Sequence, residues 1–402
     1  MKPSILFFVP TTYKALKEKG VENMILERDE NGFFEKVITL HPFSNKTYSI
    51  NLNEYHEVHE IGFDLIPGGL ENRLSLYLQI PVHFFRVIWS AFRLIKKYRI
   101  SMIRTVDPYW MGLFGYICSR ICKIPFCVSI HADYEKRMEL NKNISTIKVF
   151  KSYALAKRLE HFILSKANLV MPIRDTLAKK AIESKVSKEK IRVIPHGIDL
   201  KYFNRPPLHN IRQLFNISPN SKIISFVGRI TKENYVDDAI KIGKILSEKR
   251  SDFVIIIAGG GVEERRIKEE IASNPSLKTH FLLTGFQPRE VCLDLRRSSD
   301  VSLCLMAGFS LIEACAAGCP VISYDVEWHS ELVKNKKTGF LLKENDVDGV
   351  VDALDWVLEH PDERNIMGQK AKTLAFENHD LKTTSDIKVK CYTEILSQGD
   401  DH

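Results

Sequence analysis

A single carboxylate interrupts the stretch MAGFSLIEACAAGCPVISYD, residues 306–325, before its final Asp. Glu313 stands there between Ile312 and Ala314, in a segment otherwise free of charged side chains. A buried carboxylate without a partner is costly, so we expect Glu313 to face a ligand or a partner group. Its two oxygens suit the neighbouring hydroxyls of a ribose. A ligand-binding role predicts that replacement by alanine leaves stability nearly unchanged, whereas a buried structural role predicts a large loss.

Glycine-rich loops follow four short apolar runs in the second half of the chain. Gly228 and Arg229 follow one run, GGGVEER and GFQPREV follow two others, and residues 306–325 follow the fourth. Glycine lets backbone N–H groups approach an anion closely, and arginine supplies a planar, permanent charge. Four such loops at the ends of parallel strands predict one anion-binding crevice. Two simpler hypotheses stay open: the triple glycine is an ordinary turn, and Arg229 pairs with Asp237 or Asp238.

Two candidate residues lie in the first half of the chain. His131 follows the apolar run 126–130 and precedes Asp133, and Asp107 follows another apolar run. We expect all three side chains at the carboxyl ends of strands, where ligands of open α/β sheets bind. A lone histidine in such a place also serves as a structural hydrogen-bonding group, and Asp107 before Pro108 also fits a turn.

Short apolar runs alternate with longer amphipathic patterns along most of the chain. Continuous Val/Ile/Leu runs followed by helical patterns predict parallel strands that are covered on both faces. Two such series predict an α/β protein with two Rossmann-like, doubly wound domains. The predicted strands are 5–9, 102–106, 126–130, 169–172 and 191–194 in the first half, and 223–227, 253–258, 280–284, 301–305 and 321–324 in the second.

The segment FNRPPLHNIRQLFNISPNSK separates the two series, because its prolines and turn residues interrupt the pattern. We therefore place the domain boundary near Pro207. This gives a first domain over 1–206 and a second domain over 207–380. A last helix over 381–402 is expected to pack back toward the first domain.

The charge is uneven between the two halves. Residues 1–200 carry 31 Lys and Arg against 20 Asp and Glu, which gives +11, whereas residues 201–402 carry 27 against 30, which gives −3. A basic first half predicts an acidic partner such as a membrane surface, an anionic polymer or a nucleic acid, and solvated surface lysines are the alternative. No RNP-like or helix-turn-helix pattern is visible, which argues against a nucleic acid.

The aromatic-rich stretch 73–100 ends in several basic residues. Its pattern favours a core helix with a solvated basic end. The alternative is a helix that lies in a membrane interface with its cations on acidic headgroups.

Cysteine usage indicates a reducing compartment. The eight cysteines form no CxxC pair and lie mostly inside apolar runs, so we expect buried free thiols. The apolar run 5–9 is too short for a secretory signal, and no window reaches 18 uncharged apolar residues. The sequence therefore predicts a cytoplasmic protein, with the inner face of the membrane as the alternative. The acidic pair in DVD, residues 346–348, is interpreted as a helix start, and no metal or other cofactor is expected.

Several motifs resemble, in order and spacing, the donor domain of retaining glycosyltransferase family 4, whose fold is GT-B. The resemblance implies a nucleotide-sugar donor held by the second domain and a glycan or lipid-linked acceptor held by the first, across a cleft. The motifs are FVGRITKEN, VIIIAGGGVEERRIKEEI, LLTGFQPREVCLDLRRSSDVSLCL, GFSLIEACAAGCPVISYD and ELVKNKKTGFLL, with weaker support from VDPYWMGLFGYICSRICKIPFCVSIHADY and IRVIPHGIDLKYF.

The resemblance also assigns roles. Glu313 matches the second Glu of the E-x7-E motif, Arg229 matches the diphosphate-binding Arg, and His131 matches the acceptor-domain His that reaches the donor sugar. These three would be catalytic. The residues that would bind the donor are Gly228, Lys232, Gly259, Gly260, Gly285, Phe286, Gly308, Phe309, Ser310 and Leu311; Asp107 and Asp133 would lie on the acceptor side.

The chain departs from the family pattern at three places. The first Glu of the motif falls on Leu305, and the family's Lys falls on Asn234, for which Lys232 is a substitute two places upstream. Trp328, beside Glu327, fills a place usually held by glycine, and we expect this bulk to reshape the donor pocket.

The expected reaction is retaining sugar transfer without a metal, in cell-surface polysaccharide or glycoconjugate synthesis. Arg229, helix N-termini and backbone N–H groups would neutralise the leaving diphosphate. Two alternatives remain: a sugar-nucleotide epimerase of the same architecture, and a non-catalytic partner subunit of a glycosyltransferase.

Overall fold

The computed structural model describes residues 2–18, 23–26, 28–63, 73–132 and 153–399. The chain forms two units. The first comprises Met1–His196 together with Thr384–His402, and the second comprises Gly197–Thr383. No helix in the described ranges is both long and apolar enough to cross a membrane.

The first unit is built on a seven-stranded sheet with the order β3-β4-β2-β1-β5-β6-β7. All neighbouring strands are parallel except β3 and β4, which are antiparallel. The predicted strand 191–194 contributes only an isolated bridge between Val170 and Ile191. The strands are β1 (Ser4–Phe8), β2 (Lys36–Ser44), β3 (Tyr48–Asn51), β4 (His56–Gly62), β5 (Met102–Thr105), β6 (Phe126–Ile130) and β7 (Leu169–Pro172).

Helices cover both faces of this sheet, as continuous apolar strands require. One face packs on helices whose buried residues include Val87, Phe114 and Ile163. The other packs on Tyr392 and Ile395 of the last helix. The helices are α1 (Tyr13–Glu18), α2 (Asn23–Leu26), α3 (Arg73–Tyr98), α4 (Trp110–Cys122), α5 (Tyr153–Lys166) and α6 (Asp175–Glu183), and α16 (Leu381–Gly399), which belongs to this unit from Thr384 onward.

The second unit is built on a six-stranded, all-parallel sheet with the order β10-β9-β8-β11-β12-β13. The prediction identified each of its strands except β13. The strands are β8 (Lys222–Val227), β9 (Phe253–Ala258), β10 (Phe281–Gly285), β11 (Val301–Leu303), β12 (Val321–Tyr324) and β13 (Gly339–Leu342).

Nine helices accompany this sheet in the described part of the second unit. Acidic side chains mark several helix starts, as the helix dipole favours. Asp346 accepts a hydrogen bond from the backbone of Gly349 at 3.0 Å, which confirms the predicted helix start at 346–348. The helices are α7 (Ile211–Leu214), α8 (Val236–Lys249), α9 (Glu264–Ser273), α10 (Pro275–His280), α11 (Arg289–Ser298), α12 (Phe309–Ala316), α13 (His329–Leu332), α14 (Val347–Glu359) and α15 (Pro361–His379).

The division between the units lies between His196 and Gly197, ahead of the predicted boundary at Pro207. The intervening segment packs into the second unit, where Leu200 is fully buried. Asp294, also fully buried, accepts hydrogen bonds from the Tyr202 hydroxyl at 3.0 Å and from the backbone of His209 at 2.9 Å. The prolines indicated the irregular segment, but the second unit begins before the first of them, because residues such as Leu200 are already buried in that unit.

Candidate functional site

Four loops of the second unit lie side by side, because they follow the neighbouring strands β10, β9, β8 and β11. Backbone hydrogen bonds join three of them. Gly228 donates to Ala258 at 3.0 Å, Ile230 donates to Gly260 at 3.0 Å, and Gly259 donates to the carbonyl of Gly285 at 2.9 Å. Three of the four loops predicted to form one crevice are therefore joined directly by backbone hydrogen bonds at one edge of the sheet.

The triple glycine has a packing role that the sequence interpretation did not assign. Gly259 has φ of +150°, and a Cβ at this position would come within 1.8 Å of the Gly228 carbonyl oxygen. A Cβ on Gly261 would come within 2.3 Å of the Ile230 carbonyl oxygen. Two of the three glycines are thus required because any side chain would collide with the backbone of a neighbouring loop. The N–H of Gly259 donates to the carbonyl of Gly285 and is not left for a ligand.

Glu313 lies on α12 with its side chain 15% exposed and is held by two arginines of α11. Its Oε2 lies 3.2 Å from Nη1 of Arg296, and its Oε1 lies 3.4 Å from Nη2 of Arg289. Arg296 is almost fully buried, whereas Arg289 is half exposed. The carboxylate therefore has the partner group that we expected for a charge in an apolar segment. Its remaining exposure leaves room for a ligand.

Arg296 also fixes the start of α12. Its Nη2 donates to the hydroxyl of Ser310 at 2.7 Å, and Ser310 in turn donates to the carbonyl of Val227 at the end of β8. Its Nε is buried and has no hydrogen-bond partner among the described residues. Sequence reasoning missed both arginines of α11. Their separation of seven residues, two helical turns on one face, is the signal that could have indicated them.

Arg229 is exposed and forms no ion pair with any residue that the structure describes. The pairing that the alternative hypothesis required does not occur, since Asp237 pairs with Arg266. Asp238 accepts from the Tyr324 hydroxyl at 2.9 Å and contacts a neighbouring lysine. Lys232 is also exposed, at the start of a short 3-10 turn over Lys232–Asn234. The loop after β8 thus presents two solvated cations.

The other predicted donor contacts fall into two groups. The first group is open to a ligand. Gly285 ends β10 with a φ of +68°, and Phe286 beside it is 87% exposed. Gly308, at the start of α12, has no neighbouring atom within 4 Å of the position that a Cβ would take. Leu311 instead is fully buried, and its N–H donates to Gly308. The prediction of Leu311 as a donor contact was wrong, because its side chain belongs to the core; Phe309 is half-buried against the same core.

Trp328 does not have the effect expected from the sequence. It is 7% exposed and packs against His379, with ring centroids 5.8 Å apart. Its bulk therefore fills the core of the second unit. The neighbouring His329 is fully buried and contacts the carbonyl of Ala307 at 3.0 Å, which holds the loop that leads into α12.

In the first unit, His131 follows β6 as predicted. Its Nε2 is buried and has no hydrogen-bond partner among the described residues, and its ring stacks on His196 with centroids 5.4 Å apart. Burial, with further contributions from His196, Arg104 and Arg28, holds the pKa of His131 well below 6.5. The imidazole is therefore neutral at physiological pH.

Asp107 has the turn role that its alternative hypothesis described. Its Oδ1 accepts from the backbone of Tyr109 at 2.8 Å and of Met111 at 3.3 Å, at the start of α4. Burial raises the pKa of Asp107 to about 6 in spite of these two bonds. Asp133 lies outside the described residues. Within the described ranges, no group of three or more His, Cys, Asp or Glu side chains is arranged to hold a metal ion.

Two family models match the chain, one after the other. The model described as Glycosyltransferase Family 4 covers residues 11–202, and the model described as Glycosyl transferases group 1 covers residues 209–374. Together they account for most of both units.

Curated relatives are similar over much of the chain. An alpha-monoglucosyldiacylglycerol synthase of Streptococcus pneumoniae is 25% identical over 73% of this chain and 67% of its own length. A UDP-Gal:alpha-D-GlcNAc-diphosphoundecaprenol alpha-1,3-galactosyltransferase of Escherichia coli is 28% identical over 66% of this chain and 68% of its own length.

Solved structures share the fold. A sucrose-phosphate synthase from Thermosynechococcus elongatus has a TM-score of 0.71 at 18% identity, over 98% of this chain and 100% of the other. The Anabaena protein HepE in complex with UDP has a TM-score of 0.71 at 14% identity, over the same shares of the two chains.

Proposed function

Because the chain belongs to the group 1 glycosyltransferases of family 4 and has the GT-B fold, we propose that it performs a retaining, metal-independent sugar transfer from a nucleotide-sugar donor to a lipid-linked acceptor. The single observation that carries the donor part is the exposed Arg229 at the end of β8, which has no ion pair among the residues that the structure describes. The strand-end loops lie beside it, and the partly exposed Glu313 lies on α12, whose Ser310 donates to the carbonyl of Val227 at the end of β8.

The donor would bind by its charge and its ribose. Arg229 and Lys232 are solvated cations on one loop, so they are available to neutralise a diphosphate without first breaking an ion pair. Glu313 would accept from the two ribose hydroxyls, sharing its oxygens with Arg296 and Arg289. The exposed Phe286 would lie against the base.

During transfer, the bond between the anomeric carbon and the diphosphate oxygen breaks and the electron pair leaves with the diphosphate. Positive charge from Arg229 and Lys232 stabilises that leaving group, and one preorganised contact of this kind contributes about 10²–10³ in rate. A hydroxyl of the acceptor then bonds to the anomeric carbon on the face from which the diphosphate leaves, and its proton passes to the departing diphosphate oxygen. The neutral His131 is suited to accept a hydrogen bond from a sugar hydroxyl.

The test begins with binding. We would record thermal shifts of the full chain with UDP, GDP, ADP and CDP, for the natural protein and for Arg229→Met. One nucleotide should stabilise the natural protein clearly more than the others, and the variant should lose that shift. Equal, negligible shifts with all four nucleotides would contradict the proposal. Products formed from the matching nucleotide sugars then separate transfer or slow donor hydrolysis from the interconversion that an epimerase would catalyse.

A lipid-linked acceptor is supported by a surface of the first unit. Helix α3 buries Val87 and Ala91 in the core but exposes a stripe of Val82, Phe85 and Trp89, which are 59%, 69% and 54% exposed. The sequence favoured a helix with its apolar residues in the core. The exposed stripe shows that only one face of α3 packs into the core. Exposed cations adjoin the stripe at Arg93, Lys96 and Lys97.

An apolar stripe beside a cationic end fits an acidic membrane surface, where each basic residue contributes about 1 kcal/mol. The two relatives named above carry diacylglycerol and diphosphoundecaprenol in their names, which also supports a lipid-linked acceptor. We therefore propose that the protein works at the cytoplasmic face of a membrane.

Vesicle co-sedimentation would test this surface. The natural protein should bind vesicles that contain 40% phosphatidylglycerol more tightly than phosphatidylcholine vesicles. The triple variant Val82→Ser, Phe85→Ser, Trp89→Ser should lose at least about tenfold in affinity, because three large apolar side chains leave the interface. Ile366→Ser, at an equally exposed position of the second unit, serves as the control. Equal binding of the triple variant and the control would contradict the membrane proposal.

A further inference from the structure

The carboxylate of Glu264, at the start of α9, lies over two glycines of the strand-end loops. Its Oε2 is 3.2 Å from the position that a Cβ on Gly260 would take, and its Oε1 is 3.7 Å from the corresponding position at Gly285. The side chain therefore reaches from the loop after β9 to the end of β10. Phe286, whose ring is 87% exposed, follows directly on Gly285.

Other carboxylates of this segment are paired with arginines, whereas that of Glu264 is not. Arg266 lies 2.6 Å from Glu263, and Arg265 lies 3.0 Å from Glu269. Glu264 forms no ion pair and no side-chain hydrogen bond with any residue that the structure describes. Both of its oxygens are therefore available to a ligand.

A solvated acid at a helix start is the simpler role for Glu264, because the helix dipole favours a negative charge there. Such a side chain would extend into water or toward Lys268, four residues further on, at a spacing that suits a Glu–Lys pair. The two side chains do not pair within the described structure. Glu264 is instead half-buried and turned toward the glycines. This direction indicates a bound group at the ends of β9 and β10.

A carboxylate accepts hydrogen bonds and donates none, so it selects a ligand edge that donates. Among the four common bases, guanine alone presents two adjacent donors on one edge, N1–H and the 2-amino group, which match the two oxygens of a carboxylate. Uracil presents one N–H between two carbonyl oxygens. Adenine and cytosine each present an amino group beside an acceptor nitrogen, so a carboxylate gains one hydrogen bond and faces a lone pair.

We propose that Glu264 accepts from N1–H and the 2-amino group of guanine, and that the sugar donor is therefore a GDP-sugar. Phe286 beside it supplies an exposed ring on which the base can stack. Arg229 lies on the neighbouring loop, after β8, where the diphosphate would bind. This inference rests on the proposed function for the presence of a nucleotide and adds the identity of its base. UDP, named for one relative and bound in one solved structure described above, is the competing outcome.

Isothermal titration of the full chain with GDP, UDP, ADP, CDP and inosine diphosphate would test this assignment. Inosine diphosphate differs from GDP only in lacking the 2-amino group. The natural protein should bind GDP at least about tenfold more tightly than each of the other four, as loss of a charge-assisted hydrogen bond predicts. Glu264→Gln should weaken GDP binding about tenfold and bring GDP and inosine diphosphate to within about threefold of each other, because an amide oxygen accepts from only one of the two donors.

Glu290→Gln is the matched control, since Glu290 is also an exposed acid in the first turn of a neighbouring helix, α11. It should bind all five nucleotides like the natural protein. An equal loss of GDP affinity in the two variants would show a general charge effect and overturn the assignment. Tighter binding of UDP, ADP or CDP than of GDP would also overturn it.

The ratio of GDP to inosine diphosphate affinity is the decisive measurement, because it compares two ligands on one variant and does not depend on how much of that variant is folded. An unchanged ratio in Glu264→Gln would overturn the role of Glu264 even if GDP binds best. Failure of the proposed function would look different: no nucleoside diphosphate would bind the natural protein, which would overturn both proposals. Binding of another nucleotide that is lost in Arg229→Met would overturn only the choice of base.

Discussion

Nη1 of Arg296 lies 3.2 Å from Oε2 of Glu313, and the arginine side chain is only 3% exposed. The carboxylate proposed to bind ribose is therefore also the counterion of a buried cation. The sequence-based expectation that Glu313 could be replaced without a loss of stability does not fit this arrangement. Binding and stability should change together when Glu313 is changed.

Glu313→Gln should abolish nucleotide binding and also destabilise the second unit by about 3 kcal/mol, because it leaves the Arg296 charge buried without its partner. Denaturant unfolding measures the stability, and titration with the preferred nucleoside diphosphate measures the binding. The double variant Glu313→Gln, Arg296→Met should recover part of the lost stability but not the binding. Full stability in the single variant would show that the ion pair contributes nothing.

Arg229→Met should behave in the opposite way. Its side chain is solvated and has no ion pair in the described structure, so the free energy of unfolding should change by less than about 0.5 kcal/mol. Nucleotide affinity should fall at least about tenfold, since a charge-assisted contact to the diphosphate is lost. Arg265→Met is a matched control on the same unit, with a side chain 92% exposed. A similar loss of affinity in both variants would indicate a general charge effect.

The first unit should lose stability on mild acidification. Burial and Arg28 lower the pKa of His41 and of His56 to about 3, and burial also lowers the pKa of His59 and His83. Between about pH 6.5 and 3 the unfolded chain binds protons that these folded imidazoles do not, so stability falls as pH falls, by about 1.36 kcal/mol per pH unit for each fully shifted histidine.

Asp107 opposes this trend, because its raised pKa of about 6 makes the folded state bind a proton first as pH falls. From pH 7.5 to 5.5, His41 and His56 outweigh it, and these three groups together give a net loss of about 2 kcal/mol. The lowered pKa values of His59, His83 and His131 add to this loss. Replacing Trp328 and Trp356 by Phe leaves tryptophans only in the first unit, so that urea unfolding followed by fluorescence reports on it. His41→Gln should flatten the pH dependence; an unchanged slope would contradict the assignment.

The cysteines should react slowly with thiol reagents. Six of the eight are buried, and burial raises the pKa of Cys118, Cys127, Cys304 and Cys319 to about 12. The thiolate is the reactive form, so at pH 7.5 we expect rapid labelling of at most the half-buried Cys122 and Cys292. Mass spectrometry of the native protein, with a sample in denaturant as the control for all eight, counts the labelled sites.

Sequence patterns were sufficient for strands that are apolar throughout. Runs such as 126–130 and 253–258 match β6 and β9 residue for residue, because both faces of these strands are buried. Strand β4 was missed because its sequence, HEVHEIG, is half polar. Its polar residues are satisfied inside the fold: Glu60 accepts from the backbone of Tyr13 at 2.7 Å, and His56 contacts Thr39 at 2.8 Å.

The candidate site was predictable to the level of its loops, but its internal contacts were not. Strand ends indicated Arg229 in the second unit and His131 in the first, because the carboxyl ends of the strands of each parallel sheet meet at one edge of that sheet. Arg296 was not indicated, since its role depends on which helix face meets α12. Leu311 was misassigned for the same reason: a loop motif gives the position of a residue but not the direction of its side chain.

Because α16 supplies Tyr392 to the core of the first unit, the chain cannot complete that unit until the whole second unit and α16 after it have been synthesised. During synthesis, the apolar residues that pack against Tyr392 in the folded protein remain exposed while the second unit is translated. Folding of the first unit should therefore finish last, and nascent chains that stall before α16 should be substrates for chaperones.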